Sequence, residues 1–489
     1  MIFINGHEIV LDKQERLEAW TSYGRVVHLA MDFIKNCPID PGNGLPWYLQ
    51  YSCFWTDPLR PTIWPDNPAG KFAWAVTTLL KYYPYSGDAS HIQIVRTMLD
   101  RLWDYRTPGH YAWPDVPYAS AHPGTGIYFG ARADGEYVTE PDKVAQVGRA
   151  YVDFYQLTGE KKYFEIGSRI GEVLAGKIRP GDEGHSPWPF RVGVRDGSTV
   201  EEYTAHMVPF VRLFDELSRL GVDNFSPIRN QVWNWIEKYP LKNHAWKGHF
   251  EDIRLDPTNE NRDQVSSLET ARYILQNKEQ FPGWRQQVKD LLDWVKETLG
   301  GHPFYTAIPI HEQKFCNFSM GSHTARFASL SALYAEQTGD PAYREQAARS
   351  FNWASYMASD DGTVTVGVDR PDYYNQCWFT DGYFDYVPHF IDGMSSLPDL
   401  APADGDHMLR SSSVVQEISY QPYQINYRTA ESSGSQKFRL TFQPVQILAE
   451  GKPLAQQTTL GSKPGWVFNP IGNVLEIQSG SREVNMAGR

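Results

Sequence analysis

Acidic and imidazole side chains recur where helical segments begin. Glu140 and Asp142 stand near position 141, Glu201, Glu202 and His206 near 200, and Arg262 and Asp263 near 264. Asn317 and His323 stand near 322, and Asp381 and Asp385 near 380. A carboxylate at a helix start has an ordinary structural use, since it complements the dipole and caps the end. Asp142 directly after Pro141 is a common helix opening. What that use does not explain is the accumulation of acids, His and Arg at successive helix starts. Two carboxylates flanking a glycosidic bond can donate a proton to the leaving oxygen and activate water or attack directly. Asp381 and Asp385 lie four apart and so share one side of a helix. Two carboxylates in a partly dry site push one pKa upward and leave an acid that keeps its proton near neutrality. Glu202 and Pro209, like Asp381 and Pro388, are seven residues apart, and a proline within a helix predicts a kinked wall beside a pocket. The expected catalytic set is Glu202 with Asp381 or Asp385, then Asp142 and His206.

The segments between helices add binding chemistry. "PWPFRVGVRDG" carries Trp188, Arg191 and Arg195, and "NHAWKGHFEDIR" mixes His, Trp and Arg. "IPIHEQKFCNF" carries His311, and "RPDYYNQCWFTDG" carries Tyr374 and Trp378. Tryptophan faces stack on sugar rings, and Arg191, Arg195 or Arg262 suits a substrate carboxylate. A Trp in a loop equally serves to pin that loop down. His206 with Tyr203, Asn317 with His323, and Tyr373 or Tyr374 also suit a different reaction, removal of a proton beside a carboxylate, as in a lyase or uronate epimerase.

These groups need elements to converge them. Short turns near 84–88, 157–161, 220–224, 278–283 and 338–341 each join two segments with helical apolar spacing, as in Ile166, Ile170, Val173 and Leu174. Gly in most of these turns ends one helix, and the neighbouring acid caps the next. Long Pro-, Gly- and Trp-rich connections alternate with them at 37–69, 105–140, 177–199, 239–263, 300–321 and 359–379. With a first helix at 12–36 and a last at 380–394 the total is twelve, which predicts an (α/α)6 barrel at 1–400. Its long loops gather at one rim, and the helices that follow them form the inner ring. An open solenoid stacks hairpins too, but its connections are short. From 405 to 489 the pattern alternates apolar and polar residues, which predicts a β-sandwich-like domain whose expected role is a structural cap, with sugar binding the alternative.

The bulk composition narrows the partners. Across 489 residues the net charge is −12, which opposes nucleic-acid binding. No apolar run is long enough to span a membrane. The beginning of the chain lacks a secretory pattern, so a cytoplasmic location is expected, although a removed signal leaves the same appearance. The four cysteines lack metal-ligand spacing, so neither metal nor cofactor is expected. Aromatic residues make up 14% of the chain, with 16 Trp, 28 Tyr and 24 Phe, which suits flat apolar ligands such as sugars. An oligosaccharide is the expected partner, and self-association through the barrel sides or the β region is left open.

The barrel pattern over about 12–394 resembles the (α/α)6 glycoside hydrolases acting on uronic-acid-terminated oligosaccharides. These include unsaturated glucuronyl and rhamnogalacturonyl hydrolases and related β-glucuronidases. In the unsaturated uronyl hydrolases an inner helix begins with Asp and a Pro-Phe pair follows about seven residues later; Glu202 with Pro209-Phe210 matches that spacing, with Glu in place of Asp. A second acid at the preceding inner helix corresponds to Asp142 or Glu140. The resemblance implies a glycosidase that removes terminal uronides. A lyase or epimerase on the same scaffold, or a non-catalytic sugar-binding protein, are the alternatives.

Overall fold

A computed structural model describes residues 2–50, 52–55, 61–63, 67–122, 124–129, 136–250, 261–368 and 376–489; at 52–55, 61–63 and 376–381 only the backbone is described. The described residues form twelve main helices, five hairpins and the pairing of the first helix with the last, in an (α/α)6 barrel followed by an antiparallel β region. They are α1 (Tyr23–Lys35), α2 (Pro68–Ser86), α3 (Ser90–Asp104), α4 (Pro141–Thr158), α5 (Lys161–Ala175) and α6 (Val208–Arg219). The second half holds α7 (Ser226–Lys238), α8 (Gln264–Gln276), α9 (Trp284–Leu299), α10 (Gly321–Thr338), α11 (Pro341–Ser355) and α12 (Val387–Ser396). The even-numbered helices pack in sequence, α2 on α4, α4 on α6, and so on, and α12 returns to α2. That closed circuit rules out a solenoid.

The hairpins close by the chemistry their turns carry. Gly159 and Gly339 end α4 and α10 at φ 74° and 76°, a conformation that costs glycine little. Asp340 then caps α11 by accepting from the Ala342 N–H at 2.9 Å. Inner helices are buried nearly all round: α10 hides Ala325, Phe327, Ala328, Leu330 and Ala332 together with His323 and Arg326. Among the described residues no helix is long and apolar enough to cross a membrane.

Three boundaries differ from expectation. Residues 12–22 are not helical; Val10–Leu11 and Leu17–Glu18 pair as a small hairpin before α1. The inner helix expected near 200 starts at Val208, because Thr199–Glu201 is a strand. Near 380 a π-helical turn, Phe379–Phe384, precedes α12. Pro209 and Pro388 therefore lie in the first turns of α6 and α12, where the missing N–H costs nothing, and neither kinks a helix.

From His407 onward two antiparallel sheets form. One orders the strands His407–Ser411, Gly434–Arg439, Val474–Ser479 and Gly465–Asn469. The other orders Val415–Gln421, Gln424–Thr429, Glu483–Gly488, Pro444–Ala449 and Lys452–Pro453. Alternate residues face inward, so Tyr427 of one sheet meets Phe438 of the other with ring centres 5.7 Å apart. This region lies against the C-terminal ends of inner helices. His407 Nδ1 bonds the Tyr85 carbonyl of α2 at 2.9 Å, and Gln416 donates to the Gln156 carbonyl of α4 at 2.6 Å. Arg410 and Lys437 reach Glu336 of α10 at 2.7 and 2.6 Å, and Arg219 of α6 pairs with Glu431. Cations and donors there answer the unpaired carbonyls and negative dipole ends.

Candidate active site

The opposite end of the ring, where inner helices begin, carries the buried polar residues. Glu140 and Asp142 open α4, and both are buried. A short three-stranded sheet beside them pairs Val138–Thr139 with Arg191–Gly193, and that with Thr199–Glu201. Its register sets Arg191 opposite Glu201, and the Arg191 Nε–H donates to Glu140 at 3.1 Å while its other end pairs with Glu201. Lys143 donates to Asp142 at 2.8 Å and to the His249 carbonyl at 2.6 Å, with Glu140 at 3.6 Å. Its ammonium lies over the Phe190 ring, 4.9 Å from the centre.

His206 and His249 complete this group. His206 sits just before α6, and its ring centre is 4.5 Å from that of His249. His249 follows Gly248, whose φ of 77° and tight approach to Tyr203 leave no room for a Cβ. The ligand atoms of Asp142, His206 and His249 lie within 4.8 Å of one another. His249 is also 6.4 Å from the Trp74 ring and 5.0 Å from Phe250, which in turn lies 6.1 Å from His323. The Arg326 guanidinium stands 5.1 Å from the Trp74 ring centre. Below them Arg326 donates to Glu269 at 2.6 Å and pairs with Asp385. His389 Nε2 bonds the same Asp385 at 3.0 Å, while its Nδ1 lies 3.3 Å from the Arg272 Nη2 donor. These partners assign the proton of His389 to Nε2, donating to Asp385.

Burial sets the protonation states. It drives His206 and His249 well below the ordinary imidazole range, and the Lys143 charge adds to the effect. His323 is pushed down to about 3 and His389 to about 4, again first by burial. All four rings are neutral at pH 7. Burial, assisted by the Glu140 charge, raises Asp142 against the pull of Lys143. Burial would also raise Asp385, but Arg326 and His389 hold it below its ordinary value. Asp142 Oδ1 and the Nδ1 atoms of His206 and His249 have no hydrogen-bond partner among the described residues. The same three residues form a possible ligand set for a cation. The Lys143 ammonium already lies on Asp142, so a divalent ion there would sit against a fixed positive charge.

The expected site residues divide accordingly. Asp142, His206, His323 and Asp385 are brought to this end of the barrel. Glu202 is not: it is exposed on the outside and pairs with Arg179 at 2.6 Å. Its neighbour Glu201 ends a strand facing inward, and alternation turns the next side chain out. Arg191 is committed to the two glutamates rather than to a ligand. Trp188 is fully buried, stacks 4.0 Å from Phe210 and donates to the Leu174 carbonyl at 3.0 Å, so it pins the loop rather than offering a sugar platform. Arg262 is half-buried in the strand bridge preceding Asp263, and His311 is half-buried on the strand Ile310–His311. Tyr373 and Tyr374 lie outside the described residues, and so do the side chains of Trp378 and Asp381. Lys143, His249, Trp74 and Arg326 were not singled out by sequence reasoning. Arg326 carried a usable signal, since it follows His323 by three on one helix face.

Neither a protein-family model nor a curated protein sequence matches the chain. Solved structures do share its fold. A D-mannose isomerase aligns with TM-score 0.56 at 13% identity, covering 77% of this chain and 97% of that one. A cellobiose 2-epimerase from Spirochaeta thermophila DSM 6192 aligns with TM-score 0.55 at 14% identity, covering 78% and 97%. A sugar epimerase from a ruminal bacterium aligns at 0.52 and 10% identity, covering 76% and 98%. At these identities the likeness establishes the fold.

Proposed function

We propose that this barrel is a sugar-active enzyme that moves a proton on a carbon next to a carbonyl, as an aldose–ketose isomerase or 2-epimerase does. The observation that carries the reading is one buried acid with a raised pKa grouped with two neutral imidazoles, Asp142 with His206 and His249. Enolisation needs that combination. Asp142 gives its proton to the carbonyl oxygen while a neutral His takes the proton from the adjacent carbon, and an enediol forms. Return of a proton to the other face of that carbon yields the epimer. Return to the former carbonyl carbon yields the ketose. Trp74 and Phe250 supply apolar faces beside the imidazoles, and Arg326 supplies a fixed cation. The isomerase and epimerases sharing the fold support the same class of chemistry by analogy.

Asp142 also favours a second reading, glycoside hydrolysis, because the same protonated carboxyl could serve a leaving glycosidic oxygen. That reaction ordinarily needs a second, unencumbered carboxylate. Among the described residues Glu140, Glu201, Glu269 and Asp385 are all held by cations.

One experiment separates the readings. The protein is incubated in D2O with mannose, glucose, fructose and cellobiose, and in parallel with p-nitrophenyl glycosides and glucuronides. Deuterium at C2 or a new ketose signal by NMR, abolished in Asp142→Asn and His249→Asn, is the expected result. Nitrophenol release without any exchange at C2 sinks enolisation in favour of hydrolysis.

A further inference from the structure

We propose that the barrel interior, below the histidine group, holds a small inorganic anion seated on Arg212 between Arg149 and Arg272. A network of charges crosses that interior. Arg272 of α8 pairs with Asp392 of α12 at 2.9 Å, spanning inner helices that are not neighbours in the ring. Lys81 of α2 meets the same Asp392 at 2.5 Å. Glu269 is shared by three guanidinium groups, with Arg326 at 2.6 Å, Arg272 at 3.4 Å and Arg212 at 3.5 Å. Counted from the start of α8, Glu269 and Arg272 lie roughly 8 to 12 Å down the barrel at 1.5 Å per residue.

Arg212 is the poorly matched member. Its sole ion pair among the described residues is that longest contact, to a carboxylate two other arginines already use. Its Nε–H is buried and has no partner among the described residues. Arg149 is turned toward it, donating to the Arg212 carbonyl at 3.2 Å while its charge is answered by Asp153 and Glu216 at 2.7 and 3.3 Å. Burial disfavours the Arg212 cation, Glu269 partly offsets that, and the charges of Arg272 and Arg149 add to the opposition. A guanidinium that shares its carboxylate with two others and leaves its buried Nε–H unbonded is incompletely compensated, and an anion completes it. There is room for one. Arg212 and Arg149 keep 29% and 30% of their side-chain surface accessible, although inner helices lie within a ring of outer ones. Both side chains belong to inner helices, α4 and α6. Arg149, Arg212 and Arg272 lie deeper than Asp142 and His249 and take no part in the proposed reaction.

Diffraction and melting test it together. Crystals soaked in sodium bromide are expected to show an anomalous peak beside Arg212 Nε. In solution, sodium chloride and sodium phosphate are each compared with sodium gluconate at equal ionic strength. Saturable stabilisation by several degrees in chloride, phosphate or both is expected, and which salt acts identifies the anion. That gain should vanish in Arg212→Gln, and if the variant does not fold the wild-type data decide. Water alone beside Arg212, or a bromide peak without anion-specific stabilisation in solution, overturns the proposal.

Discussion

At the residue scale, neighbours in sequence have opposite fates. Glu201 is buried on Arg191 while Glu202 lies outside on Arg179. Glu202→Gln should therefore leave turnover within about twofold of wild type, whereas Asp142→Asn should lower kcat about 100-fold or more. Equal losses in both variants would refute the placement. The pH profile follows from the directions of the shifts. His206 and His249 are depressed, so the base is already neutral in mild acid. Asp142 is raised, so the acid keeps its proton to higher pH than an ordinary aspartate and loses it as pH climbs further. Turnover should hold through mild acid and fall on the alkaline side, the falling limb disappearing in Asp142→Asn along with the activity. A profile rising steadily into alkali would contradict the assignment.

At the element scale, hairpin turns place the end that gathers the buried acid and histidines, and the β region braces the other. Glycine-ended inner helices expose C-terminal carbonyls, and the β strands deliver His407 and Gln416 to them and Arg410 and Lys437 to the Glu336 carboxylate. Glu336 is the anchor for two of these cations. Glu336→Gln should cost about 1–3 kcal/mol and hasten proteolysis within 405–489. Unchanged melting and unchanged cleavage would show that the sheets are held by apolar packing alone. The elements were readable because each depended on local chemistry: turn glycines, capping acids and helical spacing within a dozen residues. The strand at Thr199–Glu201 was missed for the same reason in reverse. Three residues are too few to show a period, and pairing with Arg191–Gly193 made the strand.

At the scale of the molecule, burial of imidazoles ties stability to pH. His28, His91, His206, His249, His323, His389 and His407 all have folded pKa values depressed by burial. As pH falls below about 6.5 the unfolded chain gains protons that the folded one refuses, so stability present at pH 7 is lost toward pH 5. Asp142, Asp153 and Asp263 are raised and act in the opposite sense, but they are fewer. The melting temperature should be lower at pH 5 than at pH 7, by about 5 °C or more. A higher midpoint at pH 5 would mean that the carboxyls prevail. By itself the sequence determined the helix count, the alternation of short and long connections, and the change to strands near 405, because those signals are local. Only the tertiary structure decided which acids meet which bases. Convergence at one end of a barrel depends on side-chain direction and on strand pairs dozens of residues apart, and a one-residue alternation sends Glu201 inward and Glu202 out.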